Sequence, residues 1–182
     1  MKKAKNIYLI GLMGAGKTTI GRQLAKSLKM PFYDSDKAIE DQTGVTIPTI
    51  FEYEGEEGFR CREQSVIEQL TGLNGIVLAT GGGAIIKERN REALQRHGFV
   101  VYLRCSVDKI LQRTRRDNKR PLLNTANPRE RLEALYAERE PLYLSCADYQ
   151  IDTGIMPSKI VVKKILQEFR AQHRKNNERA TG

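Results

Sequence analysis

The chain is 182 residues long, carries a formal net charge of +9 and contains three cysteines. That length supports a full hydrophobic core without disulfides or a structural metal, and Cys61, Cys105 and Cys146 are spaced for neither a zinc pattern nor an even-numbered disulfide framework. No apolar stretch approaches the roughly 20 residues of a membrane span, and Met1-Lys2-Lys3-Ala4-Lys5 leads directly into an apolar run, not a signal-peptide core. A cytoplasmic protein with reduced thiols and no membrane partner is expected. The positive charge is mostly terminal, on Lys2, Lys3 and Lys5 at one end and on Arg170, Arg174, Lys175 and Arg179 at the other. It therefore speaks weakly for nucleic acid, and none is expected as a partner.

The first predicted strand, Ile7–Ile10, runs into Gly11-Leu12-Met13-Gly14-Ala15-Gly16-Lys17-Thr18, a complete G-x-x-x-x-G-K-[ST] phosphate loop. In such a loop the backbone N–H groups around Gly14, Ala15 and Gly16 turn inward on the β-phosphate. Lys17 reaches the β/γ oxygens and the Thr18 hydroxyl joins the Mg²⁺ shell. A helix beginning at Lys17, with Ile20, Leu24 and Leu28 on one stripe, points its positive end at the same phosphates. The second strand, Phe32–Tyr33, ends in Asp34-Ser35-Asp36. Asp34 then lies at the depth of a metal-shell carboxylate, and Asp36 can accept a hydrogen bond and a proton from an alcohol. The alternative is that one of the two caps the helix near Lys37–Gln42.

In a helix from about Glu56, Arg60 borders the apolar stripe of Phe59, Val66, Ile67 and Leu70. The third strand, Ile76–Ala79, is followed by Thr80-Gly81-Gly82-Gly83, where missing side chains let a ligand approach the backbone N–H groups. A helix from about Lys87 is ended by Gly98 before the strand Phe99–Leu103. Helices near 107–116 and 128–140 flank the polar, basic segment Asp117–Ala126, the expected mobile flap, in which Arg120-Pro121 can carry a cation to the nucleotide. Asn127-Pro128-Arg129-Glu130 supplies an N-cap, an N1 proline and an N3 glutamate. In that helix Leu132, Leu135, Tyr136 and Arg139 fall at i, i+3, i+4 and i+7, which puts Arg139 on the inner face. A buried guanidinium fork suits a carboxylate, while internal pairing of Arg60 with Glu63 or Arg139 with Glu138 remains equally open. The last strand is Tyr149–Ile151, and the polar tail after Phe169 is expected to fray, with 171–182 outside the folded body. Strands alternating with helices imply an α/β fold, a parallel sheet covered on both faces, with ligands beyond the carboxyl ends of its strands.

Together GLMGAGKT, FYDSD, EGEEGFR, ATGGG, KRPLL and Arg139 before Glu140-Pro141-Leu142-Tyr143 resemble the shikimate kinases, over about Asn6 to Phe169. The resemblance implies a single P-loop kinase domain, a three-layer α/β/α arrangement with a five-stranded parallel sheet and a lid at about 113–127, similar to nucleoside monophosphate kinases. It implies ATP- and Mg²⁺-dependent phosphorylation of the 3-hydroxyl of shikimate by a monomer. ATP would be held by Gly14, Ala15, Gly16, Lys17, Thr18, Thr19, Arg113 and Arg120. Shikimate would be held by Asp36, Arg60, Gly81, Gly82, Gly83 and Arg139. Lys17, Asp36 and Arg120 would be catalytic, and Thr18, with Asp34 through water, would order the metal. Arg113 would pack on the adenine, with the Ile151–Pro157 stretch on its other side. A related small kinase acting on gluconate or a nucleoside monophosphate is the alternative. A GTPase-like switch is not supported, since Asn118-Lys119 is followed by Arg120-Pro121 and not by a guanine-reading aspartate.

Overall fold

The computed structural model describes residues 6–114 and 126–178. Each expected apolar run forms a strand: β1 (Asn6–Ile10), β2 (Phe32–Asp34), β3 (Val77–Ala79), β4 (Gly98–Arg104) and β5 (Tyr149–Asp152). They make one parallel sheet in the order β2-β3-β1-β4-β5. The central strands β1 and β4 are near-continuous apolar runs and almost wholly buried, as strands covered on both faces must be. Helices α1 (Lys17–Leu28) and α7 (Ser158–Glu178) pack together as one layer. Helices α3 (Ile47–Thr71), α4 (Glu88–His97) and α6 (Pro128–Cys146) form the other. The short α2 (Ser35–Thr43) lies against α3, and α5 (Val107–Thr114) against α6.

The chain leaves β1 for β2 at one edge and leaves β3 for β4 across β1. Neighbouring strands whose connections depart in opposite directions open a crevice at their carboxyl ends. The position of β3 in that crevice is fixed from its far end by Asn6, which is completely buried. Its Nδ2 donates to the Leu73 carbonyl at 2.7 Å and to the Tyr8 hydroxyl at 2.7 Å, and its Oδ1 accepts from the Ile76 N–H at 3.0 Å. One amide thus satisfies the backbone of the turn that feeds β3, and so sets where the glycine run after β3 emerges.

Four local readings change. Helix α6 does not stop near 140 but runs through Pro141 to Cys146. The lost backbone donor is offset by burial of Tyr143 and Cys146 in the next turn, and the Ala147 N–H closes the helix on the Tyr143 carbonyl at 3.0 Å. Helix α7 continues to Glu178 instead of fraying after Phe169, since residues 170–178 contain no glycine or proline and are rich in helix formers. The helix expected from Glu56 is the second segment of α3, which starts at Ile47 and bends at Gly55. Gly98 does end α4, but as the first, extended residue of β4, at a point where a Cβ would strike the Tyr8 ring. The expected lid falls largely outside the described residues, and Arg120 and Pro121 lie there. Among the described residues no helix is long and apolar enough to cross a membrane.

Asn6→Ala strands buried polar groups on three partners and is expected to lower the unfolding free energy by about 3 kcal/mol. Urea unfolding with an unchanged midpoint would show that Asn6 does not hold β3.

Candidate active site

The phosphate loop joins β1 to α1 as its spacing requires. Gly16 caps α1 in a left-handed conformation, φ 97°, with no side chain over the helix end, so the first N–H groups of α1 stay open to a ligand. The Lys17 ammonium, nearly buried, folds back over the loop and donates to the carbonyls of Gly11 at 2.6 Å and Leu12 at 2.8 Å. The loop is braced from the segment after β5. The Thr153 hydroxyl donates to the Ala15 carbonyl at 2.7 Å, while Arg113 donates to the Gly14 carbonyl at 3.0 Å and the Thr153 carbonyl at 2.8 Å. Arg113 therefore links the phosphate loop to the Ile151–Pro157 stretch. Thr153 was not singled out in the sequence, because a brace between distant loops leaves no periodic signal.

Asp34 and Asp36 divide their tasks differently from the sequence reading. Asp34 is the helix cap: its Oδ1 accepts from the N–H of Asp36 at 3.1 Å and of Lys37 at 3.3 Å. Its Oδ2 accepts from the Thr18 hydroxyl at 2.8 Å. One carboxylate thus ties β2, α2 and the phosphate loop together. A threonine hydroxyl and a carboxylate in contact beside a phosphate loop are hard oxygen donors, which fit Mg²⁺ shared with nucleotide phosphates and water. No cluster of three acidic, histidine or cysteine side chains suited to a metal occurs among the described residues. Asp36, in the first turn of α2, lines the cleft.

That cleft, of about 850 Å³, is lined by Gly14, Gly16, Lys17, Thr18, Thr19 and Arg113 around the phosphate loop, and by Asp36, Arg60, Gly81, Gly82, Gly83 and Arg139 beyond it. Ala15, within the loop, is buried. Ile47, Pro48, Phe51 and Phe59 add an apolar wall, in which the Phe51 and Phe59 rings lie 4.8 Å apart. The structure also brings in Glu63, which the sequence reading treated only as a pairing partner. It is fully buried, and α3 places it one turn from Phe59 and Arg60.

Arg60, 5% exposed, donates to Glu63 Oε2 at 2.6 Å and to Glu56 at 3.1 Å. The internal pair and the cleft position therefore coexist. Arg139, 3% exposed, makes no ion pair with Glu138, and its Nε and Nη1 are buried without a hydrogen-bond partner among the described residues. Arg60 Nε and Glu63 Oε1 share that condition. Buried polar groups are ordinarily satisfied, so unspent guanidinium donors in a cleft wall suit an anion. Gly81 and Gly83 make room for the protein's own charges. A Cβ on Gly81 would sit 2.6 Å from Asp36 Oδ1 and 2.7 Å from Glu63 Oε1, and a Cβ on Gly83 would collide with the Arg60 guanidinium. The Gly81 N–H is already taken, donating to Ser35 Oγ at 2.8 Å.

Burial pushes the Glu63 carboxyl up to about 7, with the Arg60 guanidinium pulling it down by charge and hydrogen bond, Asp36 raising it and Arg139 lowering it. Because this exceeds the ordinary 4.5, the folded chain keeps a proton that the unfolded chain gives up between those values, and stability falls as pH rises through that window. Glu63→Gln is expected to flatten the decline in unfolding free energy between about pH 5 and 8. An unchanged slope would contradict the burial of a titrating carboxyl there.

Cys61 is exposed and Cys105 and Cys146 are buried, all as free thiols. Residues 13–170 match the family model described as shikimate kinase. The chain is 57% identical over 169 residues, covering 93% of this chain and 94% of the other, to a shikimate kinase of Methylococcus capsulatus. A solved shikimate kinase from Acinetobacter baumannii, in complex with shikimate, is 51% identical with a TM-score of 0.90, covering 94% of this chain and 96% of that one. A gluconokinase from Sinorhizobium meliloti shares only the fold, at 15% identity and a TM-score of 0.62, covering 98% of this chain and 99% of that one.

Proposed function

The chain belongs to the shikimate kinase family, and on that premise we propose that it transfers the γ-phosphoryl group of ATP to the 3-hydroxyl of shikimate, giving shikimate 3-phosphate and ADP. The observation that carries this reading is the pair of buried guanidinium groups, Arg60 and Arg139, in the wall of the cleft that also holds the phosphate loop. A carboxylate-bearing alcohol satisfies both requirements of such a cleft: its anion takes the unspent N–H donors, and its hydroxyl is presented for transfer.

The proposed roles follow from position. Gly14, Ala15, Gly16, Thr18 and Thr19 hold the phosphates through the loop and the start of α1, and Arg113 packs on the adenine. Arg60, Arg139 and the Gly81–Gly83 backbone hold shikimate. Asp36 accepts a hydrogen bond from its hydroxyl and takes the proton as the oxygen attacks phosphorus and the bond to the ADP leaving oxygen breaks. Lys17 neutralises charge on the transferring oxygens, a duty Arg120 shares from the lid. Mg²⁺ would be held by Thr18 and, through water, by Asp34, and would supply positive charge to the phosphates during transfer. The reading further holds that the chain works as a cytoplasmic monomer in one kinase domain, without nucleic acid or membrane.

A coupled assay of ADP release tests the acceptor: shikimate should give turnover, gluconate and nucleoside monophosphates none, and absence of turnover with shikimate contradicts the assignment. Arg139→Ala should raise the KM for shikimate by about 10- to 100-fold while ATP affinity stays within about twofold. Equal weakening of both ligands in titration calorimetry would make Arg139 structural. Lys17→Ala should lower kcat by at least about 100-fold.

A further inference from the structure

Tyr143 is buried, 1% exposed, one helical turn beyond Arg139 on the part of α6 that continues past Pro141. Its hydroxyl donates to the Gly82 carbonyl at 2.5 Å, and its ring stacks on Tyr102 of β4, with centroids 4.9 Å apart and planes 16° from parallel. The Arg139 guanidinium lies beside the same hydroxyl. Gly82 in turn rests on the phosphate loop: a Cβ there would stand 3.3 Å from the Met13 backbone nitrogen and 3.6 Å from the Gly11 carbonyl oxygen. A single phenol therefore joins the acceptor-side guanidinium to the backbone that packs on the nucleotide loop.

We propose that Tyr143 is a positioning residue, whose hydroxyl holds Arg139 and the Gly82 carbonyl in one arrangement so that the carboxylate of the acceptor docks in register with the phosphate loop. This rests on the shikimate kinase reading above. The hydroxyl is suited to the task because one atom serves two neighbours: it gives its proton to Gly82 and offers its lone pairs to Arg139. Burial pushes the Tyr143 phenol well above the ordinary tyrosine range, with Arg139 opposing that rise, so the proton stays on the donor. Arg139 itself keeps Nε and Nη1 without a hydrogen-bond partner among the described residues, so its contact with the phenol leaves donors for a ligand.

Tyr143→Phe keeps the ring on Tyr102 and removes only the hydroxyl. The expected result is a KM for shikimate raised about tenfold, with kcat within about threefold and the dissociation constant for ATP, measured without acceptor, unchanged. Tyr102→Phe, which removes a hydroxyl from the other ring of the stack, should leave the KM for shikimate unchanged. Hydrogen exchange of the unliganded chain reads the clamp without any acceptor: residues 81–86 should exchange faster in Tyr143→Phe than in the wild type. An unchanged KM beside an active wild type, or parallel changes in both tyrosine variants, would overturn the positioning role and leave the kinase reading intact. A wild type inactive on shikimate would overturn that reading instead, and unchanged exchange over 81–86 would overturn the clamp in either case.

Discussion

Burying guanidinium groups is costly unless each is paired, and the cleft buries two of them, Arg60 and Arg139, around the fully buried Glu63. Arg60 donates to Glu63 and Glu56, whereas Arg139 leaves Nε and Nη1 without a hydrogen-bond partner among the described residues. The protein has arranged much of its local structure to tolerate this. Gly81 and Gly83 lack side chains where Asp36, Glu63 and Arg60 press closest, Ser35 fills the hydrogen bond of the Gly81 N–H, and α6 passes through a proline to bring Tyr143 underneath. A fold built for stability alone would replace such a cluster with apolar side chains at no loss. Its retention at the carboxyl edge of the sheet is intelligible as a site prepared for an anionic acceptor.

The nucleotide side rests on a different economy. Its main element is contiguous in sequence, from Gly11 to Thr19, a loop of the kind whose backbone N–H groups suit phosphates. Asp34 and Arg113 then brace the loop from β2 and α5. The two halves meet at Gly82, whose backbone packs on residues 11–13. Phosphoryl transfer is mainly a matter of positioning and charge, so the contact at Gly82 is where the proposed positioning acts.

The parts of this arrangement that were legible in the sequence are those with a local period or a contiguous motif. The phosphate loop is a string, the five strands are apolar runs, and Arg139 is betrayed by an i, i+7 place on an apolar stripe. Glu63 carried the same kind of signal, since Phe59, Glu63, Val66, Ile67 and Leu70 share one face of α3, but a charged residue three positions from an arginine reads first as its surface partner. Tyr143 was hidden by Pro141, because a proline in a helical pattern is the ordinary sign of an end, and only burial of the following turn overrides it. Which of Asp34 and Asp36 caps α2 was left open by the sequence, since it depends on where β2 stops, and the cap is Asp34. The brace from Thr153 and the packing of Gly82 on the phosphate loop join residues far apart in the chain, and no sequence pattern encodes them.

The central claim is that the unspent donors of Arg60 and Arg139 are completed by the carboxylate of the acceptor. A crystal structure of the ternary complex with ADP and shikimate tests it most directly. The shikimate carboxylate should lie about 3 Å from nitrogens of both guanidinium groups, with the 3-hydroxyl turned toward Asp36 and the phosphate loop. A carboxylate directed to solvent or to the apolar wall of Ile47, Phe51 and Phe59, with both arginines still bonded only within the protein, would contradict it.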